Sequence, residues 1–257
     1  MTYEIKLDSI GLQTYTIRQS LTDAASYDAA FGKVREMGYD EIQLAPCELP
    51  YDEIARAADA HGLRVISVLG RFAEFEADPD RFISAAERFG TDDICIGYQP
   101  FPDSASARDF IARANAVVKR FREGGMTLSY HHHSHEFVTL DNGMNAFGML
   151  LDGFDGDIRI VPDTYWLMNS GIDICRMLTR LSGRVRILHL KDMAFMDEKR
   201  VFAEVGEGVI DWQRVIATAL DIGVKYFVTE QDDCYGKDPF DCAAVSARYL
   251  HEHFMNK

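Results

Sequence analysis

The amino-acid sequence predicts an α/β protein folded as a single (β/α)8 barrel over residues 1–257. Three observations carry that reading. Short segments rich in Ile, Val, Leu and Tyr alternate with longer helical patterns, eight times over. Most of those segments lack strict polar alternation, as strands buried on both faces of a parallel sheet do. The first turn reads TYTIRQSL, without the GxGxxG fingerprint that announces a cofactor in a doubly wound open sheet. A chain of 257 residues, 47% of them hydrophobic, is long enough to bury such a core.

In chain order, strands are expected at 9–15 (SIGLQTY), 41–45 (EIQLA), 64–70 (RVISVLG), 93–98 (DICIGY), 127–133 (TLSYHHH), 158–163 (IRIVPD), 185–192 (VRILHLKD) and 225–231 (KYFVTEQ). Between them, YDAAFGKVREMG, YDEIARAADAHG, PDRFISAAERFG and ARDFIARANAVVKRFREGG have helical periodicity and each stops in glycine. Glycine just past the last periodic residue is a helix stop, because it adopts left-handed geometry without a steric cost. GIDICRMLTRLSG and IDWQRVIATALDIG repeat the pattern. No Pro/Ser/Gly-rich linker or low-complexity stretch marks a domain boundary.

The 27 basic residues against 41 acidic ones give a net charge of −14, which argues against a nucleic-acid partner. Five cysteines form no CxxC pair and are odd in number, so reduced thiols are expected. No apolar run approaches the roughly 18 residues of a membrane span, and the N-terminus lacks a signal-peptide core. Together these place the protein in the cytoplasm, with no membrane partner.

In a barrel of this kind, function gathers where the strands end. The fifth strand runs into YHHHSHEF, which holds four of the eight histidines and a glutamate. A purification tag would sit at a terminus; a solvated polar loop is the bland alternative to a metal site. Residues two apart on a strand share a face, so His131 and His133 point together and His132 points away. Asp163, His189 and Glu230 close the sixth, seventh and eighth strands. Each alone has an ordinary role: a helix cap, a hydrogen-bonded core histidine, a partner for a surface lysine. Their joint occurrence on neighbouring strand ends favours a metal centre. Lys191, on the face of His189, is either catalytic or a partner for these carboxylates. His135 reads as a loop residue without a chemical role.

The blocks YHHHSHEF, PDTYWLMNSGID, GRVRILHLKDM, AEVGEGVIDW and VTEQDD, with the start IGLQTYTIRQSL, resemble the sugar phosphate isomerase/epimerase superfamily, the xylose isomerase-like TIM barrels. The resemblance runs from about residue 10 to 233. It implies one divalent metal held at the strand ends, with Asp163, His189 and Glu230 matching ligands from strands six to eight. The first ligand is either His131 or Glu136. Glu136 is preferred, because three carboxylates and one histidine suit a hard divalent ion. The chain departs from a YHNHDFEF-like family motif at His132, usually Asn, and at Ser134, usually Asp.

Such a site suits proton abstraction next to a carbonyl, the metal acting as Lewis acid for an enediolate. Glu136 or Glu230 is expected to combine ligand and base functions, with His131 or His133 as acid/base and Lys191 as a further catalytic group. Gln13, Tyr15, Arg18, Gln43 and Trp166 are the expected substrate contacts. The expected activity is a metal-dependent sugar or keto-sugar isomerase or epimerase. Loss of a β-substituent would instead make it a 3-keto-sugar or inosose lyase or dehydratase. Apurinic-site endonucleases share the barrel, but the net charge and the absence of further ligands on the early strands argue against that activity. The expected cofactor is one Mn²⁺, Co²⁺, Mg²⁺, Fe²⁺ or Zn²⁺ ion, and the expected partner a small sugar or keto-sugar molecule, with a homodimer as the candidate assembly. Neither a Gly-rich phosphate loop nor a basic cluster beyond Arg18 and Lys191 is present, so an unphosphorylated substrate is expected.

Overall fold

The computed structural model describes residues 5–255. Its barrel strands are β1 (Gly11–Gln13), β2 (Glu41–Leu44), β3 (Arg64–Gly70), β4 (Asp93–Ile96), β5 (Thr127–His131), β6 (Arg159–Val161) and β7 (Ile187–Leu190). A hairpin of β8 (Asp192–Met196) and β9 (Lys199–Ala203) then precedes the last barrel strand, β10 (Tyr226–Thr229). The eight barrel strands form one parallel sheet in the order β6-β5-β4-β3-β2-β1-β10-β7. Its two ends approach each other: Ile160 N–H donates to Arg184 O and His189 N–H to Pro162 O, both at 2.9 Å. The barrel is thus nearly closed, as the sequence predicts.

Apart from β3, the strands are shorter than expected at their C-terminal ends. β5 pairs with β6 only as far as His131↔Val161, so His132 and His133 already belong to the loop. This trimming matters, because side chains that leave the ladder are the ones free to face a ligand.

The helices end where expected. Gly62 and Gly90 take φ of +64° and +67°, and each N–H caps the helix it closes, Tyr51–His61 and Pro79–Phe89. Asp23 and Asp103 open the helices Ala24–Glu36 and Ser104–Glu123 with side-chain caps. Short helices after β3 (Phe72–Ala77) and β6 (Thr164–Asn169), and the hairpin, are additions that the periodicity does not announce.

The main core lies between barrel and helices; Phe75, for example, meets Phe82 and Phe121 edge to face at 4.5 and 5.6 Å. Inside the barrel is a smaller cluster of Ile66, Leu69, Cys95, Val161, Ile187 and Val228. Asp93 is also buried there, accepting hydrogen bonds from Ser67 Oγ and Ser129 Oγ at 2.6 Å each. Two-residue alternation then carries the inward face from Ser129 to His131, Val161 to Asp163, Ile187 to His189 and Val228 to Glu230. At the start of the hairpin, Asp192 accepts from the backbone N–H of Met193, Gly206, Gly208 and Ile210 and from Trp212 Nε1. One carboxylate thereby organises the connection from β7 to the helix Trp212–Asp221. The five cysteines are free, and among the described residues no helix is long and apolar enough to cross a membrane.

Candidate metal centre

His131, Asp163, His189 and Glu230, from four adjacent strand ends, bring one potential ligand atom each within 4.8 Å of one another, all buried. Asp163 serves two purposes. Its Oδ1 caps the helix Thr164–Asn169 by accepting from Trp166 N–H at 3.0 Å, and its Oδ2 faces the cluster. Cap and ligand are therefore not alternatives for this residue.

Hydrogen bonding fixes how His189 is presented. Its Nε2 lies 2.5 Å from Gln43 Oε1, which also accepts from Gln13 Nε2. An amide oxygen can only accept, so Nε2 carries the hydrogen and Nδ1 turns to Glu230 Oε2 at 3.1 Å and Asp163 Oδ2 at 3.8 Å. An imidazole that donates its outer N–H to an oxygen and aims its other nitrogen at carboxylates is the usual arrangement of a metal-ligating histidine. His131 Nδ1 is buried without a hydrogen-bond partner. The donor set of two imidazoles and two carboxylates fits a divalent first-row ion.

Burial disfavours the His189 imidazolium, but Glu230 and Asp163 outweigh it and raise the pKa of that ring. Burial pushes the His131 pKa well below its ordinary value, leaving a neutral imidazole. For Asp163 and Glu230 burial works the other way, but Lys191 and His189 outweigh it and hold both carboxylates ionised. Burial disfavours the Lys191 ammonium; the surrounding carboxylates overcome that and raise its pKa. Its Nζ lies 3.0 Å from Asp163 Oδ2, 2.7 Å from Glu230 Oε2 and 2.5 Å from Asp232 Oδ2.

Asp232 is a residue that the strand ends alone do not single out. Burial is the main cause raising its pKa to about 6. It lies two positions beyond Glu230, and the same alternation that picked out Glu230 points to it.

The cluster opens into a cavity of about 450 Å³ lined by the loops that follow β1 to β5 and β10. Gln13, Tyr15, His131, His133, Glu230 and Asp232 form its polar side, while Pro46, Leu69, Phe72 and Tyr98 supply apolar wall. Burial lowers the His133 pKa to about 3. The other expected contacts stand further back. Gln43 is fully buried and acts on His189. Arg18 lies over the Tyr15 ring and donates to the backbone of Tyr15 and Asp232. Trp166 packs against His133, 5.4 Å between ring centres, and against Lys191.

The preference for Glu136 over His131 as first ligand does not match the geometry. Glu136 lies in a 3-10 turn, and its carboxylate points back to Tyr130 OH at 2.8 Å and His133 N–H at 2.9 Å. His131 occupies the place in the cluster instead. The unusual His132 has a structural role. Its Nδ1–H donates to His133 O, and its Nε2 accepts from Asp163 N–H at 3.2 Å. It thereby anchors the backbone of a candidate ligand.

Residues 31–249 match the model of the xylose isomerase-like TIM barrel family. An inosose dehydratase of Geobacillus thermodenitrificans is 28% identical over 148 residues, covering 51% of this chain and 49% of that protein. The chain spans about half the length of the curated relatives it matches. Among solved structures, a sugar phosphate isomerase/epimerase from Parabacteroides distasonis superposes with a TM-score of 0.80 at 19% identity, over 97% of this chain and 94% of that one. A xylose isomerase-like TIM barrel protein from Mycobacterium smegmatis, in complex with magnesium, superposes with a TM-score of 0.75 at 17% identity, over 95% of each chain. With the family model covering most of its length and eight parallel strands closing around the cluster, this chain belongs to the xylose isomerase-like TIM barrel family.

Proposed function

We propose that the protein is a divalent-metal-dependent isomerase or epimerase that abstracts a proton next to the carbonyl of a sugar or keto-sugar. The observation that carries this reading is the convergence of His131, Asp163, His189 and Glu230, of which His131 and Glu230 line a cavity of monosaccharide size. Those four side chains hold the ion, which supplies Lewis-acid polarisation of the carbonyl oxygen. Asp232 borders the cavity and is not among the four, so its carboxylate is the base that takes the proton. Lys191, in contact with it at 2.5 Å, fixes its orientation. Gln13 and His133 hydrogen-bond substrate hydroxyls, and Tyr15, Phe72 and Tyr98 shield the reacting carbon from water. Return of the proton by Asp232 to the neighbouring carbon, with transfer of the hydroxyl proton between the two oxygens, gives isomerisation; epimerisation requires a second proton donor, solvent or side chain, on the opposite face.

The match to an inosose dehydratase favours a second reading, in which the same abstraction is followed by loss of a hydroxyl one carbon further on. Both readings share the first step. In D₂O, turned-over substrate gains deuterium beside its carbonyl, or shows a primary isotope effect when that carbon is deuterated. Asp163→Ala and His189→Ala lose one equivalent of divalent metal and lose this exchange. Retention of both in the two variants would overturn the proposal.

A further inference from the structure

A second convergence of ligating side chains lies just past the first, in the turn after β5. His133, His135 and Glu136 each offer an atom, and these atoms lie within 4.8 Å of one another. The tautomer of His135 is set by its surroundings. Its Nε2 lies 2.8 Å from Gln99 O, and a carbonyl oxygen only accepts, so Nε2 carries the hydrogen. In the neutral ring Nδ1 is then a bare lone pair, held 3.3 Å from Glu136 Oε2. Two lone pairs at that separation repel unless a proton or a metal cation stands between them.

His133 adds a third acceptor. Its Nδ1 is buried without a hydrogen-bond partner and lies 4.0 Å from Glu136 Oε1. The groups cannot turn away. Glu136 is fully buried and held by the Tyr130 hydroxyl and the His133 N–H, one donor on each oxygen, which leaves each oxygen a further lone pair. The His135 ring stacks on Phe101 with 26° between planes, and the His133 ring packs against Trp166.

We propose that His133, His135 and Glu136 hold a second divalent ion, of the Zn²⁺ or Co²⁺ class. Two imidazoles and one carboxylate make a three-ligand set whose fourth position stays open to water or substrate. His133 also lines the cavity, so the ion sits at the cavity edge. With Nδ1 engaged, His133 keeps its hydrogen on Nε2 and acts as a donor. The site is independent of the four-residue centre, sharing no ligand with it.

The test is a Co²⁺ titration of chelator-stripped protein, followed by visible d–d absorption, with bound metal per chain counted by elemental analysis after gel filtration. The expected result is about two equivalents in the unaltered chain and about one in His135→Phe, which keeps a ring on Phe101. Asp163→Ala should also retain about one, with a different spectrum. Glu136→Gln, close in shape to the original, should match His135→Phe, so that misfolding of one variant does not decide the matter. Circular dichroism checks each fold. A single equivalent that Asp163→Ala removes and His135→Phe leaves would overturn this inference and spare the first centre. A single equivalent with the opposite response supports it and overturns the first centre instead.

Discussion

Replacing Asp93 with Asn should change how stability depends on pH, in a direction and amount that the structure sets. Asp93 is fully enclosed in the barrel, and burial raises its pKa from 3.8 to about 6, although Ser67 and Ser129 donate to both carboxylate oxygens. A folded-state pKa above the unfolded one means that the fold favours the protonated acid. Its stabilising contribution is present below about pH 4 and is lost as pH rises through about 6. A shift of roughly two units corresponds to ~3 kcal/mol in all, of which ~1.4 kcal/mol falls between about pH 5 and pH 8. Asn cannot titrate, but it accepts only one serine hydroxyl through its carbonyl and must offer the other an N–H. That change adds a pH-independent offset of ~1 kcal/mol. Urea unfolding of both proteins across this range separates the two effects, because every other titrating group cancels in the difference. The variant should gain ~1.4 kcal/mol on the wild type between the two ends of the range. A difference that stays flat with pH would refute the raised pKa and the linkage built on it.

Three further outcomes follow from the site and its scaffold. Asp192→Ala strands four backbone donors and the Trp212 indole, and should cost ~3 kcal/mol or more in urea unfolding; a loss under ~1 kcal/mol would show that water replaces the carboxylate. Asp232→Asn should abolish deuterium exchange into substrate with metal content unchanged, whereas Glu230→Gln should reduce metal content. Exchange that survives in Asp232→Asn would move the base to Glu230 or His133.

Asp163, His189 and Glu230 could be picked out in the sequence because an apolar run that stops in a polar residue marks both a strand end and its rim side chain. The choice between His131 and Glu136 rests on ligand hardness in the sequence, whereas register places His131 with the other three side chains. His131 still pairs with Val161 in the ladder and faces inward, while Glu136 lies in a turn that swings its carboxylate back to Tyr130. Arg18 drew attention by its charge, yet it joins the loop after β1 to the one after β10 by backbone contacts. The hairpin escaped because its turn is Asp197-Glu198, at φ of 47° and 61°, where glycine or asparagine is the usual signal. Its position is enforced from a distance, through Asp192, and no local pattern reports that.

The lateral junction between β6 and β7 gives the candidate centre a mechanical role. Every other pair of adjacent barrel strands shares a ladder, with one register shift between β2 and β3, but β6 and β7 meet through isolated bridges at Ile160↔Val185 and Asp163↔His189. The second bridge joins two of the four candidate ligands. An ion gripped by both side chains would rivet the barrel where its hoop is thinnest, so loading should register as tighter closure as well as altered chemistry. Amide hydrogens of Ile160 and His189, which cross that junction, should exchange more slowly in the loaded protein, while those between β2 and β3 stay unchanged. Chelation would then loosen one stave of the barrel and leave the rest of its wall in place.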